Sequence, residues 1–136
     1  MGVVVDTCIW IDVERGNLSP GDVQQFTGEN PVFITPVTIA ELTFGVEMAA
    51  SDTIRNRRIA ALERLKKKPL LSMDADTGTV FGRIAATLRQ KGRGADFRLQ
   101  DLWIASIAIQ HGFAVLTRNK KDFKDIPGLT LICIPK

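Results

Sequence analysis

Histidine and cysteine, which build many catalytic and metal sites, are nearly missing from this sequence. The chain has one histidine, His111, and two cysteines, Cys8 and Cys133, near opposite ends. Two cysteines this far apart do not form a metal-ligand pattern, and one histidine does not build a zinc site. Serine or cysteine catalysis would depend on His111, which precedes Gly112 at a predicted helix end, so we disfavour both. Apolar neighbours around each cysteine predict reduced, buried thiols.

Long apolar runs are missing too. No stretch reaches the roughly 20 apolar residues that a membrane span requires, and the first residues lack the charged segment and cleavage site of a secretory signal. A hydrophobic content of 45% and a mean hydropathy of +0.06 are typical of a globular protein. We therefore expect a cytoplasmic protein with no membrane partner. Without repeats or low-complexity segments, the 136 residues predict a single domain over residues 1–136.

Positive charge exceeds negative charge only slightly, but it is clustered. The formal net charge is +3 and the isoelectric point is about 9.1. The first basic run comprises Arg55, Arg57, Arg58, Arg64, Lys66, Lys67 and Lys68, and the second comprises Arg83, Arg89, Lys91, Arg93 and Arg98. Each run has two interpretations, a solvated helix face or a surface that attracts phosphates.

Short apolar runs alternate with helical patterns along the whole chain. We predict strands at residues 3–5, 32–34, 113–116 and 129–134, and a short strand or extended link at 70–71. We predict helices at residues 8–13, 20–26, 36–49, 52–68, 74–92 and 99–110, the fifth closing at Gly92-Arg93-Gly94. The first strand is apolar throughout, as in a parallel sheet buried on both faces. This order predicts an α/β sandwich around a small parallel sheet.

Three acids stand next to apolar elements. Asp6 ends the first strand, Glu41 lies one turn into the helix that begins at Thr35-Pro36, and Asp101 opens an apolar helix. We see no basic residue at helix-pair spacing from any of them. Functional residues gather at the carboxyl ends of parallel strands, so we expect the three acids to converge. Buried together, they need a cation, and Mg²⁺ prefers oxygen ligands of this kind.

Each acid also has a simpler interpretation. Asp6 stands where it would cap the following helix, and Asp101 is a first-turn acid favoured by the helix dipole. Glu41 has no capping role to play. Asp96, in a glycine-rich loop, is a weaker candidate for the same site. Trp10 and Trp103 lie on apolar helix faces and are predicted to belong to the core.

Four motifs in order carry a resemblance to a known family. They are Asp6-Thr7, Thr35 to Gly45, Leu99 to Ala105, and Val115 to Phe123. Together they resemble the PIN-domain ribonucleases, specifically the VapC-like toxins of bacterial type II toxin–antitoxin systems. The resemblance implies a PIN-like three-layer α/β/α sandwich with a small, mainly parallel central sheet. It also implies a Mg²⁺- or Mn²⁺-dependent endoribonuclease, a hydrolase that cleaves RNA phosphodiester bonds with metal-activated water.

The resemblance also assigns roles to residues. Asp6 and Asp101 match metal ligands, and Glu41 matches an outer ligand or the group that orients the attacking water. At the fourth acidic position many members have an aspartate where this chain has Asn119, and Asp122, three residues on, is the alternative source of that charge.

Two threonines accompany these acids in the sequence. Thr7 and Thr117 are candidate hydroxyls that hold carboxylates or water. Their alternative interpretation is ordinary helix capping.

The family implies partners as well as a substrate. The substrate is RNA, transfer or ribosomal, and a small cognate antitoxin protein binds the toxin and links it to operator DNA. An apolar surface formed by Phe44, Val46, Met48 and Ala49-Ala50 is our candidate groove for a partner helix. The family also suggests a homodimer, to which the apolar helix from Leu102 onward is expected to contribute.

Two other functions are alternatives. The first is a non-catalytic PIN-like binding module that acts with a DNA-binding partner protein, which Asn119 makes conceivable. The second is another Mg²⁺ phosphotransferase, such as a phosphatase. Those enzymes usually need a second acid two residues after the aspartate nucleophile, and Asp6-Thr7-Cys8 lacks it.

Overall fold

The computed structural model of the chain describes residues 1–93 and 98–136. Those residues form four strands, six α-helices and one short 3₁₀ helix. The strands are β1 (Val3–Val5), β2 (Val32–Phe33), β3 (Ala114–Thr117) and β4 (Thr130–Cys133). The helices are α1 (Thr7–Glu14), α2 (Pro20–Thr27), α3 (Pro36–Glu47), α4 (Asp52–Leu65), α5 (Ala75–Gln90) and α6 (Leu99–His111), and the 3₁₀ helix is Lys120–Asp122.

The strands form one parallel sheet in the order β2-β1-β3-β4. Val3 of β1 pairs with Val32 on one side and with Ala114 on the other. The central strands β1 and β3 are buried along their whole length, whereas β2 and β4 at the edges are partly exposed. A strand covered on both faces needs apolar side chains throughout, which explains the valine run of β1. The predicted parallel sheet is confirmed.

Helices cover both faces of this sheet. On one face, α5 and α6 pack on β1 and β3 through a core cluster of Val4, Ile84, Leu88, Leu102, Ile104, Ala105, Ala108, Val115, Phe123 and Ile126. On the other face, α1 and α2 pack through Val3, Val5, Ile9, Leu18, Val23, Leu116 and Ile134. Successive strand residues alternate between the two clusters because side chains along a strand point to opposite faces. The predicted three-layer α/β/α sandwich is confirmed.

The helix starts follow from the sequence. Ser19 and Asp22 form a capping box at α2, with Pro20 as the first helical residue. At α3, the Thr35 side chain accepts the backbone N–H of Thr38 at 3.4 Å, and Pro36 is the first helical residue. These caps satisfy N–H groups that the first helical turn leaves without a partner.

Several element boundaries differ from the prediction. Strand β3 runs one residue later than expected and ends at Thr117, whose polar side chain is fully buried. Leu70 forms only an isolated bridge with Ile34. The 3₁₀ helix was not predicted as an element. Gly92 closes α5 in a left-handed conformation with φ 76°, as expected, while Gly94 lies outside the described residues.

Helix α6 lies inside the molecule's own core. Leu102, Ile104 and Ile107 are completely buried against the sheet and α5. These side chains are already covered within the chain, and the contribution of the helix from Leu102 onward to a homodimer stays a prediction. No helix in the described part of the chain has both the length and the apolar character needed to cross a membrane.

Candidate active site

Asp6 lies where the two central strands end. It follows β1 directly, and its backbone N–H donates to the carbonyl of Leu116 in β3 at 2.9 Å. Thr117, the last residue of β3, therefore lies beside it. This is the carboxyl edge of the parallel sheet, the edge at which α/β proteins place their functional groups.

The Asp6 carboxylate is buried and held by two side chains. The Thr117 hydroxyl donates to Oδ2 at 2.8 Å, and the Cys8 thiol donates to the same oxygen at 3.1 Å. Thr117 in turn accepts the backbone N–H of Asn119 at 3.0 Å. Asp6 stands at the N-cap position of α1 but makes no side-chain cap hydrogen bond. Its interpretation as a plain helix cap is therefore wrong, and the carboxylate is positioned for another purpose.

Burial raises the pKa of Asp6, although its hydrogen bonds from Thr117 and Cys8 act in the opposite direction. Cys8 is half-buried and free, and burial followed by the nearby Asp6 charge raises the pKa of its thiol to about 12. The thiol is therefore protonated at neutral pH and able to donate. The contact of Cys8 with the site was missed, because an apolar neighbourhood in sequence suggested only a packing role.

Glu41 approaches the same edge from the second turn of α3. Its Oε1 accepts the Thr7 hydroxyl at 2.9 Å, and the Thr7 hydroxyl also lies 2.9 Å from that of Thr38. Thr7 is the first residue of α1, so this bond joins α1 to α3. Burial raises the pKa of Glu41, and the Asp6 charge raises it further.

Asp101, in the first turn of α6, carries the clearest electrostatic signal. Burial raises its pKa to about 7, and the charges of Asp6, Asp122 and Glu41 add to the shift. Within residues 1–93 and 98–136, its side chain makes no hydrogen bond or ion pair. A carboxylate in this state lacks the partners that normally stabilise its charge, which points to an exogenous cation.

A basic residue does stand at helix spacing from one acid, contrary to expectation. Arg98 precedes Asp101 by three residues and lowers its pKa, but only as the smallest of the contributions. Its guanidinium instead forms a bidentate pair with Asp125, both bonds at 2.8 Å, and donates to the Asp122 carbonyl at 3.1 Å. This buried brace ties the start of α6 to the 3₁₀ helix. Arg98 and Asp125 lie far apart in sequence, and no local pattern pairs them.

The two candidates for the fourth position have different surroundings in the structure. The Asp122 charge raises the pKa of both Asp6 and Asp101, so it belongs electrostatically to the same cluster. Asn119 contributes its backbone N–H to Thr117. We call Asp6, Glu41, Asp101 and Asp122 the acid cluster. Asp96, the weaker candidate, lies outside the described residues.

The acid cluster fits a hydrated divalent ion better than a fully liganded one. Among the described residues, no three His, Cys, Asp or Glu side chains are spaced to hold one metal ion directly. Mg²⁺ keeps several waters and needs only one or two carboxylates. The donors are hard carboxylate oxygens, which is the ligand type that Mg²⁺ and Mn²⁺ select. The donor set therefore suits either ion.

Two concave surfaces reach the acid cluster from different sides. The first, the α1–α3–α4 groove, is a cavity of about 430 Å³ that extends to Glu41. The second, the basic cleft, has a volume of about 390 Å³ and includes Asp122. The basic cleft is lined by Lys91, Gly92, Arg93, Arg98, Lys121, Asp122 and Asp125.

The α1–α3–α4 groove has an apolar floor and a basic rim. Its apolar lining includes Trp10, Ile11, Val13, Leu42, Leu62 and Leu65, and its cations are Arg15, Arg57, Arg58, Arg64 and Lys68. Most of the cations come from the first basic run, which therefore borders an apolar cavity in the fold. Two of them are engaged: Arg57 pairs with Glu14 at 2.9 Å, and Arg58 donates to the Gly45 carbonyl at 2.6 Å.

The groove differs from the predicted one in its residues. Val46 is buried in the protein's own core, and Phe44 and Met48 are 67% exposed but do not line the cavity. Trp10, predicted to be core, is half-buried and lines the groove, with the Lys68 ammonium 5.5 Å from its ring centroid. Trp103, also predicted to be core, is likewise half-buried and stacks on Phe81 with ring centroids 4.0 Å apart.

Comparison with known proteins gives concordant matches. The PIN domain family model matches residues 3–129. Ribonuclease VapC of Rickettsia bellii is 30% identical over 136 residues, which cover 99% of this chain and 98% of that protein.

Solved structures agree. VapBC2 from Rickettsia felis, bound to a DNA fragment from its promoter, superposes with a TM-score of 0.85 at 25% identity, covering 98% of this chain and 99% of that one. VapBC-5, a toxin–antitoxin system of Mycobacterium tuberculosis, superposes with a TM-score of 0.76 at 29% identity, covering 98% and 100%.

Proposed function

The chain belongs to the PIN-domain family as a VapC-like toxin, and from this we propose that it is a divalent-metal-dependent endoribonuclease whose acid cluster performs the hydrolysis. The observation that carries the proposal is Asp101. Its pKa is raised to about 7 by burial and by three neighbouring carboxylates. Four acids that share a field at the carboxyl edge of a parallel sheet suit a reaction on a polyanion only when a cation joins them.

Asp6 and Asp101 are the residues we propose to hold the ion. Mg²⁺ or Mn²⁺ bound there supplies positive charge that offsets the phosphodiester and favours in-line attack by water. The chain's own residues set the geometry. Thr117 and Cys8 both donate to Oδ2 of Asp6 and so fix the rotation of its carboxylate. Hydrogen bonds that orient a ligand in this way sharpen metal binding.

Glu41 is proposed to orient the attacking water. Its Oε1 accepts from Thr7, which fixes one oxygen and directs the carboxylate across the gap between α1 and α3. Burial and the nearby Asp6 charge raise its pKa, so it is a better proton acceptor than an ordinary surface glutamate. Asp122 supplies the fourth charge, and Asn119 holds Thr117 in place through its backbone.

The direct test compares two aspartate variants on a panel of transfer and ribosomal RNA with Mg²⁺ or Mn²⁺. Asp6→Asn is expected to lower cleavage at least ~100-fold, because the amide removes a charge from the ion site. Asp76→Asn, an exposed first-turn acid of α5, is the matched control and should cleave like the parent. Equal cleavage by both variants would remove Asp6 from the mechanism.

We further propose that a small antitoxin binds the α1–α3–α4 groove. The groove has an apolar floor and cations along its rim, which suit an amphipathic helix with acidic residues. Because the groove extends to Glu41, a peptide in it reaches the acid cluster and blocks it. Operator DNA is then contacted through the antitoxin. Copurification with the product of a neighbouring short reading frame, and loss of cleavage in that complex, test this proposal.

The alternative is a non-catalytic binding module, which depends on the neutral Asn119 at the fourth position. The charge of Asp122 close to Asp6 and Asp101 supports the nuclease over that alternative. The two functions differ in their response to metal. A Mn²⁺ titration should raise the melting temperature of the nuclease, since an ion that binds the folded state stabilises it. A protein whose melting temperature ignores Mn²⁺ supports the binding module.

A further inference from the structure

The described residues that line the basic cleft carry an excess of positive charge. Asp125 is shared by two arginines, at 2.8 Å from Arg98 and 3.6 Å from Arg93. Lys91 and Lys121 line the same cleft and form no ion pair with any described residue. Four cations against two carboxylates in one concave surface form a local positive field that a bound anion would neutralise.

The cleft is also continuous with the acid cluster. Asp122 lines the cleft, and its charge acts on both Asp6 and Asp101. Lys121 is its neighbour in the 3₁₀ helix, so cation and acid are held on one turn. Lys91, the residue that follows α5, lines the same cleft. An RNA strand that crosses the acid cluster would therefore continue directly into this cleft.

The acid cluster by itself repels RNA. Four carboxylates at one edge create a negative field, and even a bound divalent ion offsets only part of it. A phosphodiester strand is held there only if cations bind the phosphates next to the cleaved one. The α1–α3–α4 groove is less suited to bind these phosphates, because its floor is apolar and two of its arginines are already engaged.

We propose that the basic cleft is a phosphate subsite in which Lys91 and Lys121 bind the RNA backbone next to the scissile bond. This inference rests on the proposed endoribonuclease function and specifies how its substrate is bound. Lysines bind phosphates as point charges, so the subsite contributes affinity and strand direction rather than base choice. Arg98 and Asp125 maintain the shape of the cleft through their buried pair.

The test measures binding without cleavage, in an Asp6→Asn background, with a short fluorescent single-stranded RNA. Lys91→Gln with Lys121→Gln should weaken binding about tenfold or more. It should also flatten the salt dependence, by about 0.7 in the logarithmic slope for each phosphate that the cleft no longer neutralises. The matched control is Lys66→Gln with Lys67→Gln, at the exposed end of the first basic run. It removes the same charge away from the cleft and should change affinity less than about threefold.

The same double variants in the active protein separate binding from chemistry. The cleft variant should raise KM with kcat within about twofold of the parent, since the acids are untouched. Equal effects of the two double variants on affinity would overturn the phosphate subsite while leaving the nuclease intact. A protein that neither binds nor cleaves any RNA would instead overturn the proposed function, and this inference with it.

Discussion

The α1–α3–α4 groove and the basic cleft both reach the acid cluster, yet they present different chemistry. The groove is apolar at its floor, and two of its arginines are held by Glu14 and by the Gly45 carbonyl. The cleft is polar, and two of its lysines have no acidic partner among the described residues. One surface suits a protein helix and the other suits a polyanion.

A basic run in the sequence therefore does not identify its binding partner until the side chains next to it in the fold are known. In sequence, the runs around Arg57 and around Lys91 are alike, and each has the same two interpretations. In the fold, the first run borders an apolar cavity and the second joins Lys121 from a distant turn. The partner that each surface selects depends on those neighbours, and the following variants are designed to separate the two surfaces.

The largest effect is expected from Asp125→Asn, which breaks the buried pair that shapes the cleft. Arg98 is 6% exposed, and removing the carboxylate that pairs with this buried guanidinium should lower the free energy of unfolding by about 3 kcal/mol. Asp12→Asn is the control, because the Arg118–Asp12 pair at 3.1 Å is more exposed; it should cost about 1 kcal/mol. Denaturant titration measures both. Equal losses would mean that the brace is no stronger than a surface ion pair.

The second effect concerns the acid cluster that both surfaces share. Asp101→Asn should stabilise the metal-free protein by about 2 kcal/mol at pH 8, after allowance for solvent screening. The reason is that burial and neighbouring acids raise the pKa of Asp101 to about 7, above its unfolded value of about 4. The folded chain then binds the extra proton, so stability falls as the pH rises through this window.

Thermal unfolding in EDTA between pH 5 and pH 8 tests the direction. The parent should lose stability toward pH 8, and the Asp101→Asn variant should lose less. Asp76→Asn, a first-turn acid of α5, should instead be slightly destabilised, since it loses a favourable interaction with the helix dipole. Identical pH profiles for parent and Asp101→Asn would contradict the electrostatic cluster.

A third variant blocks the groove without touching the cleft. Gly45 lines the groove, and a Cβ atom added there meets no atom within 4 Å. Gly45→Gln should therefore fold normally, with a small gain in helix stability, and weaken antitoxin binding about tenfold, or ~1.4 kcal/mol. Gly82→Gln, at an exposed helical glycine that is equally open, is the control. Calorimetry with the antitoxin and an RNA cleavage assay show whether the two surfaces act separately.

The smallest effect on cleavage is expected from Cys8→Ser, beside Asp6 of the acid cluster. A serine hydroxyl keeps a donor near Asp6, so the Mn²⁺ concentration for half-maximal cleavage should change less than about twofold. Cys8→Ala removes the donor and should raise that concentration about threefold to tenfold, the value of one hydrogen bond. If alanine and serine behave alike, the thiol only fills space.

The sequence alone predicted the sheet and the residues at its carboxyl edge. Asp6 directly after an all-valine strand is a pattern that only a central parallel strand explains, and the Thr35-Pro36 start placed Glu41 inside a helix. These signals are local, because caps and strand burial are visible within a few residues. Whether the acids act as ligands stays a prediction.

Contacts between residues that are distant in the sequence could not be predicted from local patterns. The Arg98–Asp125 brace, the contact between Cys8 and Asp6, and the sorting of the two basic runs all join residues that only the tertiary fold brings together. Val46 was misassigned to a surface because helix α3 is apolar on more than one side, so its pattern does not reveal which side is covered.

The six residues from Thr117 to Asp122 join three tasks in one short connection. Thr117 donates to Asp6, Lys121 lines the basic cleft, and Asp122 adds its charge to the acids. Because these three residues lie within one short segment, a change of the segment affects the acid cluster and the basic cleft together. Exchange of these six residues with those of a relative is therefore expected to change the metal affinity and the RNA affinity together.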